Sequence, residues 1–184
     1  MFSTSITQAF GLTTPIVNAG MAMIARPALA AAVCEAGGLG TIGSDINPPD
    51  VLRDLVRQTK TLTKRPFGVD LIGDFVTDEH VSVLIEEQVA LAIFFWTLPT
   101  LEHVERLKQA GIKVWMQVGR VAEAEQAAAL GADALIVQGC RGRRAQSRRG
   151  VNHDALSAHH ADQASALRPC APVQACHCGF FTDD

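Results

Sequence analysis

No stretch of this 184-residue chain approaches the roughly 20 consecutive apolar residues of a membrane-spanning helix. The opening MFSTSITQAFGLTTPI lacks the basic start and long apolar run of a secretory leader, so a cytoplasmic location and no membrane partner are expected. Positive charge is not in excess either: 16 Lys and Arg stand against 19 Asp and Glu, for a net charge of −3. That balance excludes a globally basic nucleic-acid binder. The five cysteines include no paired C-x-x-C spacing, so Cys176-His177-Cys178 is not expected to form a structural metal site. GGLG at 37–40 follows a helical stretch and precedes a strand, the reverse of a dinucleotide fingerprint, and is expected to be a helix stop. Lysine is missing from the whole of 140–184, a segment that carries six arginines, four histidines and four cysteines.

What is present, up to residue 139, is an alternation of short apolar runs and amphipathic stretches. PIVNAG (15–20), LGTIG (39–43), FGVDLIG (67–73), LAIFFW (91–96), IKVWMQVG (112–119) and ALIVQG (134–139) read as strands. Between them PALAAAVCEAGG, PPDVLRDLVRQTKTLT, HVSVLIEEQ, LEHVERLKQAG and VAEAEQAAALG read as helices. Nearly unbroken apolar strands alternating with one-sided helices indicate parallel strands covered by helices. The expected fold class is therefore α/β, a partial TIM (β/α)8 barrel with about six of eight βα units and an irregular C-terminal tail. The expected division is an incomplete barrel over 1–139 and an aberrant tail over 140–184.

In such architectures ligands bind at the carboxyl ends of the strands. Those positions hold Asn18, Ala19, Gly20, Met21, Ala22, Ser44, Asp45, Asp70, Trp96, Thr97, Gln117, Gly119, Gln138 and Gly139. Small residues and amides predominate, without lysine or histidine, which suits a flat polar ligand better than hydrolysis. A lone carboxylate such as Asp70 is expected to be hydrogen-bonded to neighbouring backbone N–H groups.

PIVNAGMAMIARPALAAAVCEAGGLGTIG, RPFGVDLI, GIKVWMQVG and GADALIVQG, in that order, resemble the nitronate monooxygenase family, formerly called 2-nitropropane dioxygenases, which are flavin enzymes on a TIM barrel. The resemblance implies FMN across the strand carboxyl ends, contacted by Gly20, Met21, Ala22, Asp70, Gln117 and Gly139, with a small-molecule nitronate as substrate. Asp70 stands where the family usually has asparagine. Related flavin barrels, NAD(P)H-dependent quinone or enoyl-thioester reductases, are the alternative, as is a non-catalytic truncated product.

After the sixth strand the family continues, beyond one variable residue, with glutamate, alanine, two glycines and the histidine credited with handling the substrate. Here Cys140 is followed by RGRRA, so the resemblance supplies no catalytic residue. One extra cytosine after the Cys140 codon would account for this, because permitted codons for Arg141 to Gln146 then read glutamate, alanine, glycine, glycine, histidine in the shifted frame. An out-of-frame reading of GC-rich DNA would also produce a tail rich in arginine, histidine and cysteine. Without aromatic interleaving, the arginines at 141–149 are not expected to bind nucleic acid.

Overall fold

The computed structural model describes residues 3–21, 23–44, 46–138 and, as backbone, 176–177. The chain divides into two compact units, Met1–Val114 and Trp115–Asp184. In the first, α1 (Ser5–Phe10), α2 (Pro27–Glu35), β1 (Gly40–Gly43), α3 (Pro49–Leu62), β2 (Phe67–Ile72), α4 (Asp78–Glu86), β3 (Leu91–Phe95) and α5 (Leu101–Gln109) follow one another, with a 3₁₀ turn at Gly73–Phe75. The second unit holds most of β4 (Lys113–Val118), then α6 (Val121–Ala129), β5 (Ala134–Val137) and a two-residue strand, β6 (Cys176–His177).

Every recorded strand pairing is parallel. Gly40 to Gly43 lie beside Phe67 to Asp70, and Gly68 to Ile72 beside Leu91 to Phe95. In the second unit Trp115 to Val118 pair with Ala134 to Val137, and Ile136 and Val137 with Cys176 and His177. The fold is α/β, with the successive parallel βα units of part of a TIM barrel. β1 and β2 are buried at every position, as expected for strands covered on both faces. The helices supply the outer layer: α3 buries Leu52 and Val56, α4 Val81 and Leu84, α5 Val104 and Leu107. Each such side chain contributes roughly 1.5–3 kcal/mol on leaving water.

Four helices hand over to the next strand by one device. At α2 the Gly37 N–H donates to the Cys34 carbonyl and the Gly38 N–H to the Val33 carbonyl, with Gly37 at φ 91°. Gly111 after α5 and Gly131 after α6 repeat the pattern. Orphan carbonyls of the last turn are thereby satisfied, and GGLG is a helix stop. After α4 the same left-handed position is held by Gln88, at φ 47°.

One difference from the sequence reading bears on function. The expected first strand, 15–20, reduces to a single parallel bridge, Val17 to Leu39. One side chain explains this. The ladder runs from the Leu39 N–H to the Ile16 carbonyl and from the Asn18 N–H to the Leu39 carbonyl. At the next rung the Asn18 carboxamide intervenes, its Oδ1 accepting from the Thr41 N–H at 2.8 Å and its Nδ2 donating to the Thr41 carbonyl at 3.0 Å. A side-chain amide thus replaces the backbone rung, and Ala19 and Gly20 leave the sheet.

Candidate functional site

Asp70 sits late in β2, beside Gly43 of β1, and is only 4% exposed. The expected backbone donors to its carboxylate are not found among the described residues: Oδ2 is buried without a hydrogen-bond partner. The Ser44 N–H donates instead to the Asp70 backbone carbonyl, at 2.9 Å, in line with the sheet. Burial pushes the Asp70 carboxyl up to about 7, against a smaller lowering by the Thr41 hydroxyl. Gly20 lies flush against this group, since a Cβ there would overlap the Cβ, Cγ and Oδ2 of Asp70. Only glycine permits that approach.

Around this pair the loops that follow the strands are cross-tied. Asn18 and Thr41 are joined four ways: besides the two rung bonds, the Thr41 hydroxyl donates to the Asn18 carbonyl at 2.8 Å and Asn18 Nδ2 reaches Thr41 Oγ1 at 3.3 Å. The Thr97 hydroxyl donates to Asp74 Oδ1 at 2.5 Å, linking the loops after β2 and β3. His80 accepts the Thr77 N–H at Nδ1, which leaves Nε2–H to donate to the Asn47 carbonyl at 2.9 Å. Asn47 Nδ2 is a second buried polar atom without a partner among the described residues.

The apolar residues of these loops face solvent. Met21 is 41% and Trp96 47% exposed, and Met23, Ile24, Ile46 and Phe75 are exposed as well. Trp96 is held at φ 73°, its ring edge-on to Phe95 with centroids 5.7 Å apart. A bulky residue in the left-handed region is strained.

Of the expected flavin contacts, Gly20 and Asp70 are brought together and Met21 follows them directly. Ala22 and Gly139, like Asp45, lie outside the described residues. Gln117 belongs to the second unit, where its Nε2 donates to Gln138 Oε1 at 2.9 Å, while the Gly119 N–H is capped by Glu123 at 2.8 Å. Thr41, Asn47 and His80 were not anticipated. The T-x-x-H spacing of Thr77 and His80 is a helix-capping pattern that could have flagged the last.

A parallel βα protein that gathers unsatisfied polar atoms at its strand ends belongs to the class that receives a ligand there. The sequence model of the family described as nitronate monooxygenase matches residues 3–77 and 72–152. The chain belongs to that family. It is 31% identical to a nitronate monooxygenase of Paraburkholderia phytofirmans, over 70% of this chain and 46% of the relative. It is also 39% identical to a (3aS,4S,5R,7aS)-5-hydroxy-7a-methyl-1-oxo-octahydro-1H-indene-4-carboxyl-CoA dehydrogenase of Rhodococcus jostii, over 76% of this chain and 39% of the relative. Among solved structures, FabK from Thermotoga maritima superimposes with a TM-score of 0.69 at 38% identity, covering 74% of this chain and 44% of that one. A nitroalkane oxidase from Streptomyces ansochromogenes gives 0.67 at 31% identity, covering 73% and 48%. The chain therefore spans less than half the length of each of these relatives. No helix among the described residues is long and apolar enough to cross a membrane.

Proposed function

We propose that this chain supplies the ring-facing part of a flavin site in an FMN-dependent oxidoreductase, and that the reaction of the family it serves is oxidative denitrification of alkyl nitronates. The observation that carries the reading is Asp70, a buried carboxyl with an unpartnered oxygen at a strand's carboxyl end. A buried polar atom without a partner costs about 1–3 kcal/mol, so a ligand group that answers it is favoured there. The described residues fit a flat ring with polar edges: Asp70 to meet an edge, Gly20 with no side chain to displace it, and exposed Met21 and Trp96 to offer apolar surface. FMN, when bound, supplies the one-electron chemistry towards nitronate and oxygen. The protein's part is to bind and orient, with the Asn18–Thr41 clasp fixing the path of the Gly20 turn against β1.

RGRRA after Cys140 places no histidine where the family pattern has one, so this chain holds no base for the substrate at that position. We therefore expect weak FMN binding and no nitronate turnover from the chain as it stands. The substrate is a small molecule, with neither nucleic acid nor membrane as partner, in a cytoplasmic setting. The test is to add excess FMN to the purified chain and to measure flavin fluorescence quenching together with nitronate-dependent oxygen uptake. Tight stoichiometric FMN with robust turnover overturns this reading.

A second reading, a flavin-dependent enoyl-thioester reductase, is favoured by identities of 38% to FabK and 39% to the CoA dehydrogenase, against 31% to the nitronate monooxygenase. Deleting the proposed extra base gives a chain in which the two readings separate. NAD(P)H oxidation driven by an enoyl thioester supports the reductase, and oxygen uptake driven by a nitronate supports the monooxygenase.

A further inference from the structure

Two carboxylates are buried among the described residues, Asp70 and Glu87, and they are treated oppositely. Glu87 is met by Arg53, Arg57 and Lys60. Among the described residues Asp70 is met by no cation, and its Oδ2 has no hydrogen-bond partner. Its neighbours among the described residues are uncharged: Gly20 from the preceding loop, Thr41 and Gly43 from β1, and Ile93 beside it on β3. Ser44 spends its N–H on the Asp70 backbone carbonyl.

Hydrogen-bond capacity at Thr41 limits what this site can offer a carboxylate. The threonine hydroxyl has one proton and two lone pairs. The proton goes to the Asn18 carbonyl at 2.8 Å, and one lone pair takes Asn18 Nδ2 at 3.3 Å. The hydroxyl can lower a charged Asp70 only by sharing the proton it gives to the Asn18 carbonyl, whereas a carboxylic acid can use its free lone pair and leave that bond intact. A charged Asp70 has to draw the hydroxyl proton away from Asn18 or remain buried and unanswered, and both are costly.

We propose that Asp70 meets the flavin as a neutral carboxylic acid, so that binding is linked to the uptake of one proton from solvent by this side chain. The inference rests on the flavin reading above. In the acid form the group offers one donor and one carbonyl acceptor, as a carboxamide offers donor and acceptor together, whereas a carboxylate accepts only. Aspartate can then serve where the family pattern carries asparagine. Burial already pushes the Asp70 carboxyl up to about 7 in the ligand-free protein, with Thr41 opposing, and a ligand that only the acid form answers raises it further in the complex. Because the protonated form is the binding form, affinity is level below about pH 7 and falls about tenfold per pH unit above it.

The experiment is a fluorescence-quenching titration of the full chain with FMN from about pH 6 to about pH 9, on wild type and Asp70→Asn. Riboflavin runs in parallel, because the FMN phosphate itself titrates near pH 6. The expected result is a dissociation constant that rises with pH for wild type and stays level for Asp70→Asn, with both flavins. A level wild-type profile, or affinity that increases with pH, overturns the inference while leaving the flavin reading intact. No quenching by either protein at any pH overturns the flavin reading and removes the ligand from this inference. The ¹³C carboxyl resonance of Asp70 in ligand-free wild type decides the protonation state independently of any variant. A midpoint near pH 7 supports the neutral acid, and one in the ordinary aspartate range near pH 4 overturns it.

Discussion

Removing the Glu87 carboxylate should loosen the contact between α3 and α4, with a dependence on pH that identifies the cause. Glu87 caps α4, its side chain is 10% exposed, and it meets Arg57 Nε at 2.8 Å, Lys60 Nζ at 3.3 Å and Arg53 at 3.5 Å. The Lys60 ammonium also donates to the Glu87 backbone carbonyl. Burial pushes the Glu87 carboxyl up, but the hydrogen bonds and charges of Arg57 and Lys60 outweigh it, and the group is held below its ordinary value. An exposed ion pair is worth up to about 1 kcal/mol, and breaking a fully buried one costs about 3–5 kcal/mol. Here the carboxylate is buried but Arg57 is 60% and Lys60 39% exposed, so the cations rehydrate once the partner is gone. Glu87→Gln should therefore cost about 2 kcal/mol near neutral pH, between those limits. A folded-state pKa below the unfolded one gives stability that is present above the unfolded value, about 4.3, and lost as pH falls through the folded one. Urea denaturation of wild type and Glu87→Gln at about pH 7 and about pH 3 measures this: the gap between them should close in acid. An equal gap at both pH values would refute the electrostatic account and assign the loss to packing.

Further substitutions address the backbone, at the exit of α4 and around the site. Gln88→Gly should stabilise by about 0.5 kcal/mol in thermal or urea unfolding, because relief of the left-handed strain at φ 47° exceeds the added entropy of the unfolded chain; Gln88→Ala should give no gain. Asn18→Ala should cost about 1–2 kcal/mol by leaving the Thr41 N–H and carbonyl without their amide partner, and hydrogen exchange at the Thr41 amide should accelerate; unchanged exchange would sink the clasp. Gly20→Ala should cost roughly 1–3 kcal/mol, since its Cβ has to displace Asp70; an unaltered melting temperature would show that the loop yields freely.

The sequence by itself determined the order of elements from α2 to β5 and the family. Periodicity placed a helix at 48–63 where α3 spans Pro49–Leu62, and a strand at 67–73 where β2 spans Phe67–Ile72. Apolar spacing reports which face of a local segment is buried, and that is settled within the segment. The separated motifs likewise pointed to the family whose model matches the chain. The strand expected at 15–20 fails for a reason no local pattern carries. Its ladder ends at an amide whose partner, Thr41, lies 23 residues away. The same holds for Glu87, exposed or anchoring according to cations about 30 residues earlier in α3, and for His80, whose carbonyl partner Asn47 is 33 residues distant. Asp70 shows the difference most sharply. Its place at a strand's carboxyl end was legible, but whether backbone donors, a cation or nothing would answer it depended on how β1 and the Gly20 loop close around it. Only the tertiary structure decides that, because a buried charge is governed by the groups that replace water, and those come from distant parts of the chain.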